Sequence, residues 1–236
     1  NDEVSLAFIT GEQGSGKTLL AYAAAVHQIL EMNHAGLENH RRNHPISSHF
    51  HDTHQPKQHF KKIVLYKSND ILGGDRRDLG FLPGSLFEKM KPFLQSYSDC
   101  HDETEMGQTI PFHQMFCHPH HATTDFPKRS ENLGKVSKDG YLPSKNAAID
   151  MRYSGHARGI TLTNSLVLVD EAQNFTPHEV KTILERIGKG SKAILIGDPL
   201  QVDSPVTSRD INGFTSAIQR YLPAPYSALI RLEQNY

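Results

Sequence analysis

The sequence predicts an α/β fold built on a parallel sheet and interrupted by two polar, His-rich insertions. Three observations point there. Short apolar runs alternate with segments of helical periodicity, the pattern of strand–helix–strand crossovers. Several of these runs are apolar throughout, as strands buried on both faces are. Two of them end on acidic or glycine-acidic pairs, at the carboxyl edge where parallel sheets gather ligands.

Val4–Ile9 is the first apolar run and reads as a buried strand followed by Thr10-Gly11. Leu19, Leu20, Ala23, Val26, Ile29 and Leu30 recur at helical spacing, so a helix is expected over 19–32. Residues 34–59 hold seven His, two Pro and little apolar content, and read as the first insertion, about 34–60. Lys62–Tyr66 is the second strand. Ser85 is a candidate N-cap for a helix from Leu86 to about Tyr97, bent or broken at Pro92. Residues 99–146, with five more His, read as the second insertion.

Leu166–Val169 is the third strand. Thr176-Pro177-His178-Glu179 opens a helix with a capping Thr, Pro at the first position and Glu in the first turn, and Gly188 closes it after Ile187. Ala193–Ile196 is the fourth strand, Gly213–Leu222 a helix and Ser227–Leu232 a last strand. All 236 residues are expected to form one domain.

Composition narrows the function classes. Hydrophobic residues make up 37% and charged residues 22%, which excludes collagen-like, coiled-coil and wholly disordered chains. No apolar run approaches a membrane span. The acidic start does not read as a secretory leader, and two Cys make no disulfide framework, so a cytoplasmic protein without membrane contact is expected. A net charge of −1 gives no global field for nucleic acid, so any such binding must be local. The absence of an initial Met and the abrupt end suggest a piece of a longer protein.

Gly11-Glu12-Gln13-Gly14-Ser15-Gly16-Lys17-Thr18 fits the phosphate-cradling pattern G-x-x-x-x-G-K-[ST], between an apolar strand and an amphipathic helix. Glycines let backbone N–H groups close on phosphate oxygens at a helix N-terminus, and Leu19 continues that first turn. Lys17 is the cation for the β- and γ-phosphates, and Thr18 is a hydroxyl ligand for Mg²⁺. Asp170 follows four apolar residues and would hold Mg²⁺ through its water shell; Glu171 would polarise the attacking water. Gln201, in Gly197-Asp198-Pro199-Leu200-Gln201, is placed to sense the γ-phosphate. The competing readings are an ordinary glycine turn and two solvated polar turns, and the combination disfavours them.

Together these stretches resemble the PhoH family of P-loop ATPases, relatives of superfamily 1 helicases. The resemblance rests on GEQGSGKTLLAYAAAV, KKIVLYK, LGFLPG at 79–84, ARGITL at 157–162, LVDEAQNFTPHEVKTILERIGKGSK at 168–192 and GDPLQVDSP at 197–205. It implies a RecA-like core, ATP and Mg²⁺ as cofactors, an RNA-linked helicase activity on single-stranded RNA or DNA, and a homo-oligomer, often a hexameric ring. Some members carry an N-terminal nuclease-like domain, which is not expected ahead of a phosphate loop at residue 11. Where the family usually shows Thr-Arg-Pro, this chain has Tyr66-Lys67-Ser68, which weakens a phosphate or nucleic-acid contact there. The ending RLEQNY resembles the fourth motif of UvrD-type helicases but reads better as a plain strand.

Arg158 and Arg186 match family positions and are candidate arginine fingers, in cis or from a neighbouring subunit. Cys100-His101, His113, Cys117-His118 and His120-His121 are zinc-type ligands in a spacing that fits no standard finger, so a solvated insertion is the favoured reading. The functional expectation is a nucleic-acid-dependent ATPase. The alternative is a slow nucleotide-dependent switch that unwinds nothing. A small-molecule kinase is disfavoured by Glu171, since kinases must exclude water.

Overall fold

The computed structural model describes residues 3–30, 60–68, 86–104, 107–108, 112, 115, 148–153 and 159–233, with backbone alone at Leu30, over 86–93 and at Tyr153. Six strands, β1 (Leu6–Gly11), β2 (Lys62–Lys67), β3 (Ile149–Tyr153), β4 (Ser165–Val169), β5 (Lys192–Gly197) and β6 (Ser227–Leu232), form one sheet in the order β3-β2-β4-β5-β1-β6. Every neighbouring pair is parallel. The α/β expectation therefore holds.

Helices cover both faces, as an all-parallel sheet requires. α1 (Lys17–Leu30) and α2 (Leu86–Asp102) close one face, where Tyr22, Val26 and Ile29 meet Ile63, Leu65, Leu166 and Leu168. α3 (Pro177–Leu184) and α4 (Gly213–Tyr221) close the other, where Phe175, Val180, Ile183 and Phe214 meet Phe8, Val64, Val167 and Leu195. β4 is buried along its whole length, which is why its sequence, SLVLV, is a run rather than an alternation.

Caps set the helix starts. Thr176 accepts from Glu179 N while the Glu179 carboxylate accepts from Thr176 N, a complete capping box with Pro177 at the first position. Asn212 caps α4 by accepting from Thr215 N at 2.8 Å. α3 ends at Leu184, three residues before the expected Ile187. Arg186 O accepts from Leu162 N and Gly188 N donates to Leu162 O, both at 2.7 Å, so the chain leaves the helix to bridge Leu162.

Three further expectations are corrected. α2 does not stop at Tyr97 but continues through Asp102, and its helical backbone is unbroken at Pro92. Leu94, Tyr97 and His101 bury themselves beyond the proline, and that packing outweighs the roughly 3 kcal/mol a mid-helix proline costs. Residues 99–102 are accordingly helical. His101 is fully buried, shares a hydrogen bond of 3.0 Å with the Tyr22 hydroxyl and lies against the rings of Tyr22 and Phe112, while Phe112 and Met115 join the same core. His101 is a core histidine, and among the described residues no three His, Cys, Asp or Glu gather as a metal group. Third, β3 falls where no strand was expected, pairing Ile149 with Ile63 at the sheet edge.

The segments 34–59 and 79–84, the zinc-type residues His113, Cys117, His118, His120 and His121, and Arg158 lie outside the described residues. Among the described residues no helix is long and apolar enough to cross a membrane.

Candidate nucleotide site

Parallel register lines up the carboxyl ends of β2, β4, β5 and β1, which are consecutive in the sheet. Each ends in a polar group: Lys67 on β2, Asp170-Glu171 on β4, Asp198 on β5 and the glycine loop on β1. The pairing of Tyr66 with Val169 puts Lys67 beside Asp170.

The loop 11–18 connects β1 to α1. Gly14 and Gly16 both have φ of +79°, with open space where a side chain would project. A bulkier residue at either would be strained in that left-handed backbone. Lys17 starts α1, and its Nζ folds over the loop to donate to Gly11 O at 2.8 Å and Glu12 O at 2.7 Å. Ser15 is buried, and its Oγ has no hydrogen-bond partner among the described residues. A buried hydroxyl without a partner is destabilising unless a ligand completes it. Leu19 lies on the first turn, more than a third exposed at 37%.

Asp170 is only 2% exposed. Its Oδ1 accepts from the Thr18 hydroxyl at 3.1 Å and from Glu171 N at 3.1 Å. Its Oδ2 accepts from Lys67 Nζ at 2.5 Å. The next residue, Glu171, adopts a left-handed backbone with φ 52° and ψ 47°. For a side chain with a Cβ this costs about 1–2 kcal/mol, the kind of strain that collects at functional sites.

Gln173 ties the strand ends together. Fully buried, it donates from Nε2 to Glu171 Oε2 at 2.7 Å and to Gln201 O at 3.0 Å, and its Oε1 accepts from Asp198 N at 3.1 Å. Asn174 fixes the same loop by accepting from Asp203 N at 2.9 Å and Ser204 N at 3.2 Å. Gln201 in turn donates to Gln13 of the glycine loop at 3.2 Å. One polar network thus joins the loop after β5, the Glu171 carboxylate and the glycine loop.

The PhoH-like protein family matches residues 53–235. The chain belongs to the PhoH family. Among similar proteins, PhoH2 of Bacillus subtilis is 29% identical over 234 residues, covering 98% of this chain and 40% of that protein. A PhoH-like protein of the same organism is 31% identical over 201 residues, covering 85% of this chain and 44% of its own length. The chain thus spans less than half the length of these relatives. A solved complex of the arterivirus nonstructural protein 10 helicase with DNA is similar with a TM-score of 0.38 at 14% identity, covering 98% of this chain and 36% of that one, a likeness too loose to argue from.

The chain is thus a PhoH-family protein with a parallel α/β sheet, whose β1–α1 loop carries the G-x-x-x-x-G-K-[ST] pattern. The observed loop suits a phosphate: two left-handed glycines, a lysine held only by carbonyl oxygens of the loop, and a buried serine hydroxyl lacking a partner among the described residues. The hydroxyl and carboxylate oxygens of Thr18 and Asp170 are the hard donors that Mg²⁺ takes.

Of the residues expected to act together, the structure gathers Gln13, Thr18, Asp170, Glu171 and Gln201. Arg186 is instead in the turn after α3, its Nε buried without a hydrogen-bond partner among the described residues. Sequence reasoning assigned no role to Lys67, Gln173 or Asn174. The signal for Lys67 was available, since it ends an apolar strand just as Asp170 does. Burial also sets the chemistry of two neighbours: it pushes the Cys100 thiol up to about 11 and raises the Tyr97 phenol well above its ordinary value, with nearby Asp170 adding to both shifts.

Proposed function

We propose that this chain binds ATP with Mg²⁺ and hydrolyses it. The observation that carries the reading is the bond between Thr18 Oγ1 and Asp170 Oδ1, which brings together two metal-ligand types 152 residues apart in sequence, beside the glycine loop. Lys17 leaves Gly11 O and Glu12 O for the β- and γ-phosphate oxygens. Amides of residues 13–18 and the Ser15 hydroxyl complete the cradle. Thr18 and Asp170 hold the metal, which when bound neutralises charge on the phosphate oxygens. Glu171, next to them in the chain, orients and polarises the attacking water. Gln201 exchanges Gln13 for the γ-phosphate or that water, and so reports hydrolysis to the loop after β5.

The wider reading is a nucleic-acid-dependent motor, on single-stranded RNA or DNA, working in the cytoplasm as a ring. A head-to-tail neighbour packed over the glycine loop would cover a bound nucleotide, as heterologous interfaces do when rotation closes a ring. Arg158 or Arg186 of that neighbour is then the candidate finger. One observation favours the alternative of a slow switch: the Glu171 carboxylate is held by Gln173 at 2.7 Å and must be released before it can serve water.

Phosphate release with and without polynucleotide tests the reading. Turnover stimulated by single-stranded RNA or DNA supports the motor. Slow turnover indifferent to polynucleotide supports the switch. Absence of nucleotide binding refutes both.

A further inference from the structure

We propose that Lys67 is a positioning residue for the metal-binding carboxylate: its ammonium holds one oxygen of Asp170 and so turns the other toward Thr18. The inference rests on the reading of Asp170 as a metal ligand and adds a residue to which that reading gives no role.

The geometry divides the two oxygens of Asp170 cleanly. Oδ2 belongs to Lys67, at 2.5 Å, with the two side chains 9% and 3% exposed. Oδ1 receives Thr18 Oγ1 and Glu171 N, each at 3.1 Å. The lysine is therefore on the oxygen away from the phosphate loop, where it orients the carboxylate without standing in the metal's place. Its own position is fixed from two sides. Tyr97, fully buried on α2, lies with its ring centroid 5.4 Å from Nζ. Ser68, the next residue, donates to Asn174 O at 3.0 Å and ties the end of β2 to the turn after Glu171.

Charge gives the pair its importance. A carboxylate 2% exposed is expensive to leave ionised without a partner. Lys67 supplies that partner before any nucleotide arrives, so the metal oxygen is aimed in advance. Outer-shell partners of this kind alter metal affinity by about 10–100-fold when removed. Lys67 is also too buried, at 7%, to serve as a contact for a polynucleotide.

The experiment titrates a fluorescent ADP analogue into the parent protein and Lys67→Met, once in EDTA and once in excess Mg²⁺, with a thermal melt of each. The parent should bind more tightly with Mg²⁺. In Lys67→Met the affinity in EDTA should stay as in the parent, while the Mg²⁺-dependent gain falls about 10–100-fold. Lys67→Arg, which keeps a cation at the same place, should recover most of the gain. Lys67→Gln, which keeps a donor without the charge, replaces the Met variant if that does not fold and should lose the gain likewise. A Mg²⁺ gain in the neutral variants equal to the parent's, or larger because a competing cation has gone, overturns the role of Lys67 alone. A parent protein with no Mg²⁺ gain at all overturns the metal reading of Asp170 and the role of Lys67 with it.

Discussion

Replacing Gln173 with Leu keeps nearly the same volume and removes three hydrogen bonds at once. One of them goes to a carboxylate, Glu171 Oε2 at 2.7 Å, and two are neutral, to Gln201 O and from Asp198 N. Bonds to charged groups contribute about 1.5–3 kcal/mol and neutral ones about 0.5–1.5 kcal/mol each. The three together come to roughly 2.5–6 kcal/mol, and full burial of Gln173 means water cannot readily replace them. For a chain of this size each kcal/mol shifts the melting temperature by about 2–4 °C, so a drop of roughly 5–24 °C is expected. The chain has no Trp, so circular dichroism is the suitable probe of melting. Nucleotide affinity should survive, because the loop 11–18 is untouched. Turnover should fall at least about tenfold, as a freed Glu171 no longer shares a fixed frame with Gln201. A Gln173→Leu protein that melts like the parent and hydrolyses ATP at the parent's rate would refute the network argument.

Other predictions follow from the same geometry. Gly197→Ala would set a Cβ 2.8 Å from Gln173 Oε1 and 3.0 Å from the Phe214 ring; a loss of about 1–3 kcal/mol, read from a denaturant titration, is expected. Gly213→Ala would bring a Cβ to 2.4 Å from Val180 Cγ2 and 2.9 Å from the Phe175 carbonyl, so α3 and α4 should separate or the melt fall by a similar amount. Cys100, with its thiol pushed up to about 11, should resist iodoacetamide in a Cys117→Ala background at pH 8 and react readily only once the protein is unfolded, by mass spectrometry. Lys17→Ala should abolish tight nucleotide binding by equilibrium titration, since the phosphate charge loses its mobile cation.

Most of the sheet was legible because its central strands are continuous apolar runs and their ends carry the polar residues of the site. β3 was not. Among its described side chains only Ile149 is fully buried, whereas Asp150 and Arg152 pair with each other, and Asp150 with Lys62, at an edge where charge is the usual protection against further pairing. The end of α2 escaped notice for a related reason. Ser98-Asp99-Cys100-His101-Asp102 has a polar composition, and it is tertiary partners, Tyr22 and Phe112 among them, that make His101 a core residue. Within the site, Gly11–Thr18, Asp170, Glu171 and Gln201 follow from local pattern and chemistry. Lys67 is marked only by its place at the end of an apolar strand, whereas Gln173 and Asn174 act through partners in the loop after β5, and no spacing along the chain encodes those contacts.

The claim that the carboxylates after β4 serve nucleotide hydrolysis meets its most direct test in Glu171→Gln. The substitution keeps the size of the side chain and its left-handed backbone position, leaves Thr18 and Asp170 in place, and removes only the charge that would polarise water. ATP affinity and phosphate release are measured side by side on the parent and the variant. The account predicts unchanged Mg²⁺-dependent ATP binding with phosphate release reduced to background. Phosphate release at the parent's rate in the Glu171→Gln protein would contradict it.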